Sequence, residues 1–200
     1  MKKSFVIGWL VLLVVGCGSD TQKAQEENSK ATNANIEATT TGGALSDEQV
    51  AVLLSQKIGQ WEGTSVIKGP DGEVQSEFPM TDTTTWLEKG KSIEMQVTEK
   101  LPQGDQQLVL TKWYDKEQQR FLLTRRMENE EVPAKPGAYE TYDADSNTLH
   151  GVVVEGLPPG MSWTWTSEWI SQDSKWIYTG HLRQDDKIQS TRIDTIQRIE

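Results

Sequence analysis

Met161-Ser162-Trp163-Thr164-Trp165-Thr166-Ser167-Glu168-Trp169-Ile170, followed after a polar break by Lys175-Trp176-Ile177-Tyr178-Thr179-Gly180-His181-Leu182, decides how this chain is read. Successive side chains of an extended strand point to opposite faces, so residues two apart share a face. Met161, Trp163, Trp165 and Trp169 therefore fall on one side, and Thr164, Thr166 and Glu168 on the other. On the next run Trp176, Tyr178 and Leu182 share a face, with Gly180 between them. Aromatic and β-branched residues favour strands, and Gln172-Asp173-Ser174 supplies the turn. The two runs predict adjacent antiparallel strands that carry one aromatic wall.

The same pattern of strand and turn extends upstream to Gln60 and downstream to the end. Turn signals stand at Gly69-Pro70-Asp71-Gly72, Lys89-Gly90, Pro102 to Asp105 and Asp115-Lys116-Glu117. They continue at Pro133 to Gly137, Asp143 to Asn147, Pro158-Pro159-Gly160 and Gln184-Asp185-Asp186. Between them lie runs such as Trp61 to Ile67, Ser92 to Thr98, Leu108 to Tyr114 and Phe121 to Met127. About ten strands are expected, with no helical pattern between them, so βαβ units are not expected. Short connections make neighbours antiparallel. The fold class is therefore all-β, an up-and-down antiparallel barrel in preference to a sandwich. Pro79 marks a bend in one long strand.

One helix precedes the strands. Ser46 can cap it, Gln49 completes a capping box, and Asp47 and Glu48 suit its positive end. Val50, Leu53, Leu54 and Ile58 form its apolar stripe, and Gly59 is its expected stop. Such a helix can plug one open end of a barrel.

Residues 17–45 read differently. Gly18 to Ala44 is rich in Thr, Ala, Asn, Glu, Gln, Ser and Gly, with Ile36 as its only large apolar residue. It cannot bury enough surface to offset chain entropy and is expected to be a disordered tether. Residues 1–16 have the parts of a secretory signal: Lys2 and Lys3, then the apolar run Phe5 to Gly16, shorter than the roughly 20 residues a span needs. Val14-Val15-Gly16-Cys17 resembles the lipobox of bacterial lipoproteins. The resemblance implies diacylglycerol on Cys17, cleavage before it, and tethering to the cell envelope. A simple secreted protein and a short helical anchor are the alternatives. Cys17 is the sole cysteine among 200 residues, so it has no internal disulfide partner. Gly18 and Ser19 in place of Asp after the Cys favour, by the same resemblance, an outer membrane where one is present. The domain is expected over residues 46–200.

Ile58-Gly59-Gln60-Trp61-Glu62-Gly63, entering the first strand from a helix, resembles the G-x-W-x-G opening of calycin-type barrels, among them lipocalins, fatty-acid-binding proteins and nitrobindin-like proteins. With the Tyr114-Asp115 turn and the late Trp-bearing strands, the chain is most similar to a group of uncharacterised secreted bacterial proteins of this type. The resemblance covers Ser46 to Glu200. It implies a closed barrel with Trp61 packed under its base, and it implies no reaction, because fold does not fix function.

The aromatic wall has two readings. It is the packed core, or part of it lines a cavity for one small ligand. In the second reading Trp163, Trp165, Trp169, Trp176 and Tyr178 bind an apolar or amphipathic molecule. The competing role is a filled barrel serving as a structural or interaction module of the envelope. Nitrobindin-like barrels hold haem through a late-strand His, but His181 alternates away from the Trp176–Tyr178 face, so no cofactor is expected. His150 reads as a surface or rim residue. Two separated His offer no zinc set. No nucleophile elbow, metalloprotease or phosphate-loop motif occurs, and a non-enzymatic role is expected. Glu94, Glu99, Glu155 and Glu168 are read as solvated outer-face residues. Of Arg125 and Arg126 one must point inward, where it could hold a ligand carboxylate. A local ion pair with Glu128-Asn129-Glu130-Glu131 is the favoured reading. The loop from Met127 to Ala138 is the candidate mouth. The formal net charge is −10, more negative still without Lys2 and Lys3, which argues against nucleic acid as a partner. The sequence leaves the oligomeric state open.

Overall fold

The computed structural model describes residues 44–199. The leader, Cys17 and most of the tether lie outside the described residues. Helix α1 (Asp47–Ser55) is followed by ten strands. They are β1 (Gly59–Lys68), β2 (Val74–Glu88), β3 (Ser92–Leu101), β4 (Gly104–Asp115) and β5 (Arg120–Met127). After them come β6 (Ala138–Asp143), β7 (Thr148–Val153), β8 (Met161–Ile170), β9 (Lys175–Gln184) and β10 (Lys187–Ile199). Each strand pairs antiparallel with the next, and β1 pairs with β10, so the sheet is a closed barrel. The all-β, up-and-down expectation holds.

The ends of the elements follow from local chemistry. Ser46 Oγ accepts from Gln49 N at 3.2 Å and Gln49 Oε1 accepts from Ser46 N at 2.9 Å, the reciprocal cap. The helix stops at Ser55, earlier than expected. Lys57 N donates to Leu54 O at 3.0 Å in a closing turn, and Gly59 (φ 135) already starts β1. Turns fall where the sequence placed them: Asp115 Oδ1 accepts from Glu117 N and Gln118 N, each at 2.9 Å. Pro79 lies inside the long β2 opposite Thr64 of β1. Pairing with β3 starts only at Met80, so the missing N–H removes no bond on that side. Register shifts at Ile67/Lys68, Trp86/Glu88 and Ile188/Ser190 supply bulges that let the sheet curve.

The apolar core sits at the helix end. Val50, Leu53 and Leu54 of α1 pack with Trp61, Ile93, Met95, Phe121, Leu149 and Trp176. Trp61 is 1% exposed, and its Nε1 donates to Lys57 O at 2.8 Å, which ties the first strand to the turn leaving the helix. Trp169 meets Trp61 edge-on at 5.9 Å and Trp176 at 5.4 Å. No helix among the described residues is long and apolar enough to cross a membrane.

Replacing Trp61 with Ala empties the centre of this plug and frees the helix turn. We expect a loss of about 3–5 kcal/mol in urea unfolding. A loss below about 1 kcal/mol would mean that the helix end is not the stabilising core.

Candidate functional site

Beyond the helix-end core the barrel interior changes character. On β4, Leu108, Leu110, Lys112 and Tyr114 share the inward face, and Lys112 is 1% exposed. Its ammonium binds Glu140 Oε2 of β6 and lies 4.7 Å from the Phe121 ring centre. Glu140 Oε1 accepts from Trp165 Nε1 at 2.7 Å, so one carboxylate joins three strands. Burial alone would raise the Glu140 pKa. The Lys112 and Lys57 ammoniums, with the bonds from Lys112 and Trp165, hold it below the ordinary carboxylate value instead.

Lys57 leaves the turn after α1 and places its ammonium 3.7 Å from the centre of the Trp176 ring. Burial, and then repulsion from Lys112, push its pKa down to about 8, against the pull of Glu140 and Asp82. Asp82 of β2 is buried, and its pKa is pushed up to about 6 by that burial. Thr84 Oγ1 donates to its Oδ1 at 3.0 Å and, with Lys57, limits the rise.

A second ionic group lies further from the helix. Arg192 of β10 donates from Nη2 to Glu99 Oε1 at 2.7 Å and from Nε to Asp194 Oδ1 at 2.8 Å. Burial would weaken its charge, but the two carboxylates raise its pKa above the ordinary guanidinium value. Arg125 of β5 faces the same group. Burial lowers its pKa to about 10, with Glu99 opposing and Arg192 adding to the fall. Trp163 Nε1 donates to the Tyr178 hydroxyl at 3.0 Å, and burial raises the Tyr178 pKa despite that bond.

The five aromatic residues singled out in the sequence all lie on the inward face of β8 and β9. Trp169 pairs directly with Trp176, Ser167 with Tyr178, and Trp165 with Gly180. They do not form one continuous surface. Trp169 and Trp176 belong to the helix-end core. Trp163, Trp165 and Tyr178 stand beside the charged groups, with the Trp165 and Tyr178 ring centres 6.0 Å apart. Two glycines give the rings their seats. A Cβ on Gly151 would come within 1.9 Å of the Trp165 ring, and one on Gly180 within 2.5 Å of the Trp163 ring.

The expectation for Glu99 is corrected. It is 4% exposed and bonded to Arg192, because it continues the inward series Ile93, Met95, Val97. Glu155 and Glu168 are exposed, and Glu94 meets Gln96 on the exposed outer face. The arginine pair divides. Arg126 donates to Glu128 O at 2.9 Å in the loop, while Arg125 turns inward. His181 lies opposite Thr164 and Thr191, off the aromatic face, with Nδ1 3.0 Å from Thr191 Oγ1. His150 is exposed. Asp82, Lys112, Glu140, Arg192 and Asp194 were not singled out in the sequence. Among the described residues no group of three or more His, Cys, Asp or Glu is placed to hold a metal ion. The β5–β6 ladder has only Phe121↔Glu140, Leu122↔Tyr139 and Leu123↔Ala138, so the end of β5 and the connection 128–137 form the least paired part of the wall.

A closed antiparallel meander of ten strands, with a helix packed at one end, has a calycin-like barrel fold. No protein-family model matches the chain, and no curated protein matches it. Solved structures do. The S-type phycobiliprotein lyase CPES from Guillardia theta is 13% identical, with a TM-score of 0.54 over 76% of this chain and 93% of that one. Rv2717c from M. tuberculosis is 13% identical over 76% of this chain and 98% of that one, with a TM-score of 0.49. At this identity the likeness to the lyase is one of fold.

Removing one member of a buried ion pair strands the other. Lys112→Met is expected to cost about 3–5 kcal/mol in urea unfolding near neutral pH, and adding Glu140→Gln is expected to restore most of it. A single variant as stable as the parent would show that the pair is solvated.

Proposed function

We propose that the barrel binds one small amphipathic molecule, held between the Trp163–Trp165–Tyr178 surface and the ionic groups that face it. The observation that carries this reading is the charge inside the barrel: Lys57, Lys112, Arg125 and Arg192 against Asp82, Glu99, Glu140 and Asp194. Removing ions from water is costly, and a well-packed apolar interior is often as stable or more so. An interior selected for stability alone has no need of them. Inward residues midway along the barrel, Val97, Leu110 and Tyr178, are only half-buried, which fits an interior with room left in it. Aromatic faces with a few fixed polar groups are the usual lining of a small-molecule site. The role is one of binding rather than turnover.

The lipobox reading belongs to the same proposal. Lipid on Cys17 would hold the barrel at an envelope membrane, the outer one where present, at the end of the tether. Each acyl methylene adds about 0.8 kcal/mol of anchoring.

Titrating the chain with the neutral probe N-phenyl-1-naphthylamine, followed by energy transfer from tryptophan, is expected to saturate at one probe per chain. Trp165→Ala should weaken that binding about tenfold while near-ultraviolet dichroism shows a folded barrel. The absence of saturable binding would favour the filled, structural barrel.

Feeding an alkyne fatty acid to a bacterial host should label the chain and send it to the membrane fraction. Cys17→Ser should abolish both effects. Unchanged labelling in that variant would exclude Cys17 as the lipid site.

A further inference from the structure

Lys112 and Arg192 are each bound to carboxylates inside the barrel, and Asp82 is bonded to Thr84. Lys57 is different. Among the described residues its ammonium makes no ion pair and no hydrogen bond; its contact is the Trp176 ring face. An ammonium has three donors. A ring face attracts its charge but satisfies those donors poorly. Lys57 is also fixed in place, because its own carbonyl accepts the Trp61 indole and the turn around it closes on Leu54 O.

Resting on the binding role proposed above, we infer that Lys57 anchors the acidic group of an organic monoanion whose flat apolar body lies along Tyr178 and Trp165. The anion would supply the charge and the acceptors that the ammonium lacks. Tyr178 follows Trp176 on the inward face of β9, and the Trp165 ring is 6.0 Å from that of Tyr178, so a second aromatic pair lies on the strand that carries the ring under the ammonium. One unpaired cation selects a single negative charge.

The groups that face Lys57 are Asp82 from β2, Lys112 from β4, Glu140 from β6 and Trp176 from β9. Lys112 is engaged by Glu140, and Glu140 stays ionised. Asp82 is the group whose charge competes with an incoming anion. Its folded-state pKa is about 6, so lowering the pH through that value neutralises it and favours the anion. Raising the pH through about 8 discharges Lys57 and removes the anchor. Affinity for a permanently ionised ligand should therefore rise from neutral pH toward about 5 and fall away above about 8.

Two probes isolate the charge. 8-Anilinonaphthalene-1-sulfonate and N-phenyl-1-naphthylamine share a skeleton and differ by the sulfonate. On the full chain near pH 6, the sulfonate is expected to bind about tenfold more tightly than the neutral probe. Lys57→Met should erase that preference by weakening the sulfonate, and Lys57→Arg should keep it. Asp82→Asn should flatten the acid side of the pH profile. Near-ultraviolet dichroism checks folding, and Lys57→Gln replaces the Met variant if that one does not fold. A preference for the sulfonate that survives both neutral substitutions overturns the anchor and leaves the binding role standing. Failure of the parent chain to bind either probe overturns both.

Discussion

The pairing of β1 with β10, from Gln60↔Ile199 to Lys68↔Thr191, is the constraint on which the rest of the molecule depends. Once those strands join, the sheet has no edge, and alternate residues of every strand must share a common interior. That pairing is close: a Cβ on Gly63 would come within 1.9 Å of the Thr195 carbonyl oxygen, so only glycine allows the backbones to meet there. The tryptophan two residues earlier, Trp61, closes the base beneath this contact and binds the helix turn. Closure, base and helix are thus one unit of local sequence, Ile58 to Gly63, and they fix which face of every other strand is enclosed.

What fills the enclosed space is graded along the barrel. At the helix end it is apolar, with the Trp169 ring in contact with those of both Trp61 and Trp176. Further along it is ionic, but each ion is embedded in geometry that an isolated charge would lack. Glu140 accepts from both a lysine and an indole, and Arg192 bridges two carboxylates from different strands. These contacts tie β4 to β6 and β8, and β10 to β3, across the interior rather than along the sheet. They orient the strands' inner faces as well as neutralising charge, and they stand among buried apolar side chains such as Phe78, Met80 and Leu108.

Much of this was legible in the sequence because strand periodicity is strict. The turns, the helix cap and stripe, the meander and the inward face of β8 and β9 follow from residue type and spacing. The ionic interior was missed by giving chemistry priority over periodicity. Phe78, Met80, Asp82, Thr84 and Trp86 alternate without a break, as do Ile93, Met95, Val97 and Glu99, and both series place an acid among apolar residues on one face. Reading Glu99 as solvated set the usual preference of carboxylates for water above the alternation. Strand β10 was less readable. Ile193 and Ile196 lie on opposite faces, so the pattern alone does not say whether Arg192 and Asp194 point in. The partners of those charges come from strands far apart in sequence, and no local pattern encodes such pairs.

The same asymmetry bears on what the interior is for. Charges that serve only the fold need one another, and Arg192 with Glu99 and Asp194 meets that need completely enough to raise the guanidinium pKa. Lys57 moves the other way, because burial and Lys112 outweigh the carboxylates around it. A fold could have spared itself this cost with a neutral side chain, since the backbone carbonyl at that position, not the ammonium, holds Trp61. A cation retained on an aromatic face, with no carboxylate bound to it among the described residues, at the point where the apolar core gives way to the ionic groups, is the arrangement expected when part of the balancing charge comes from outside the chain.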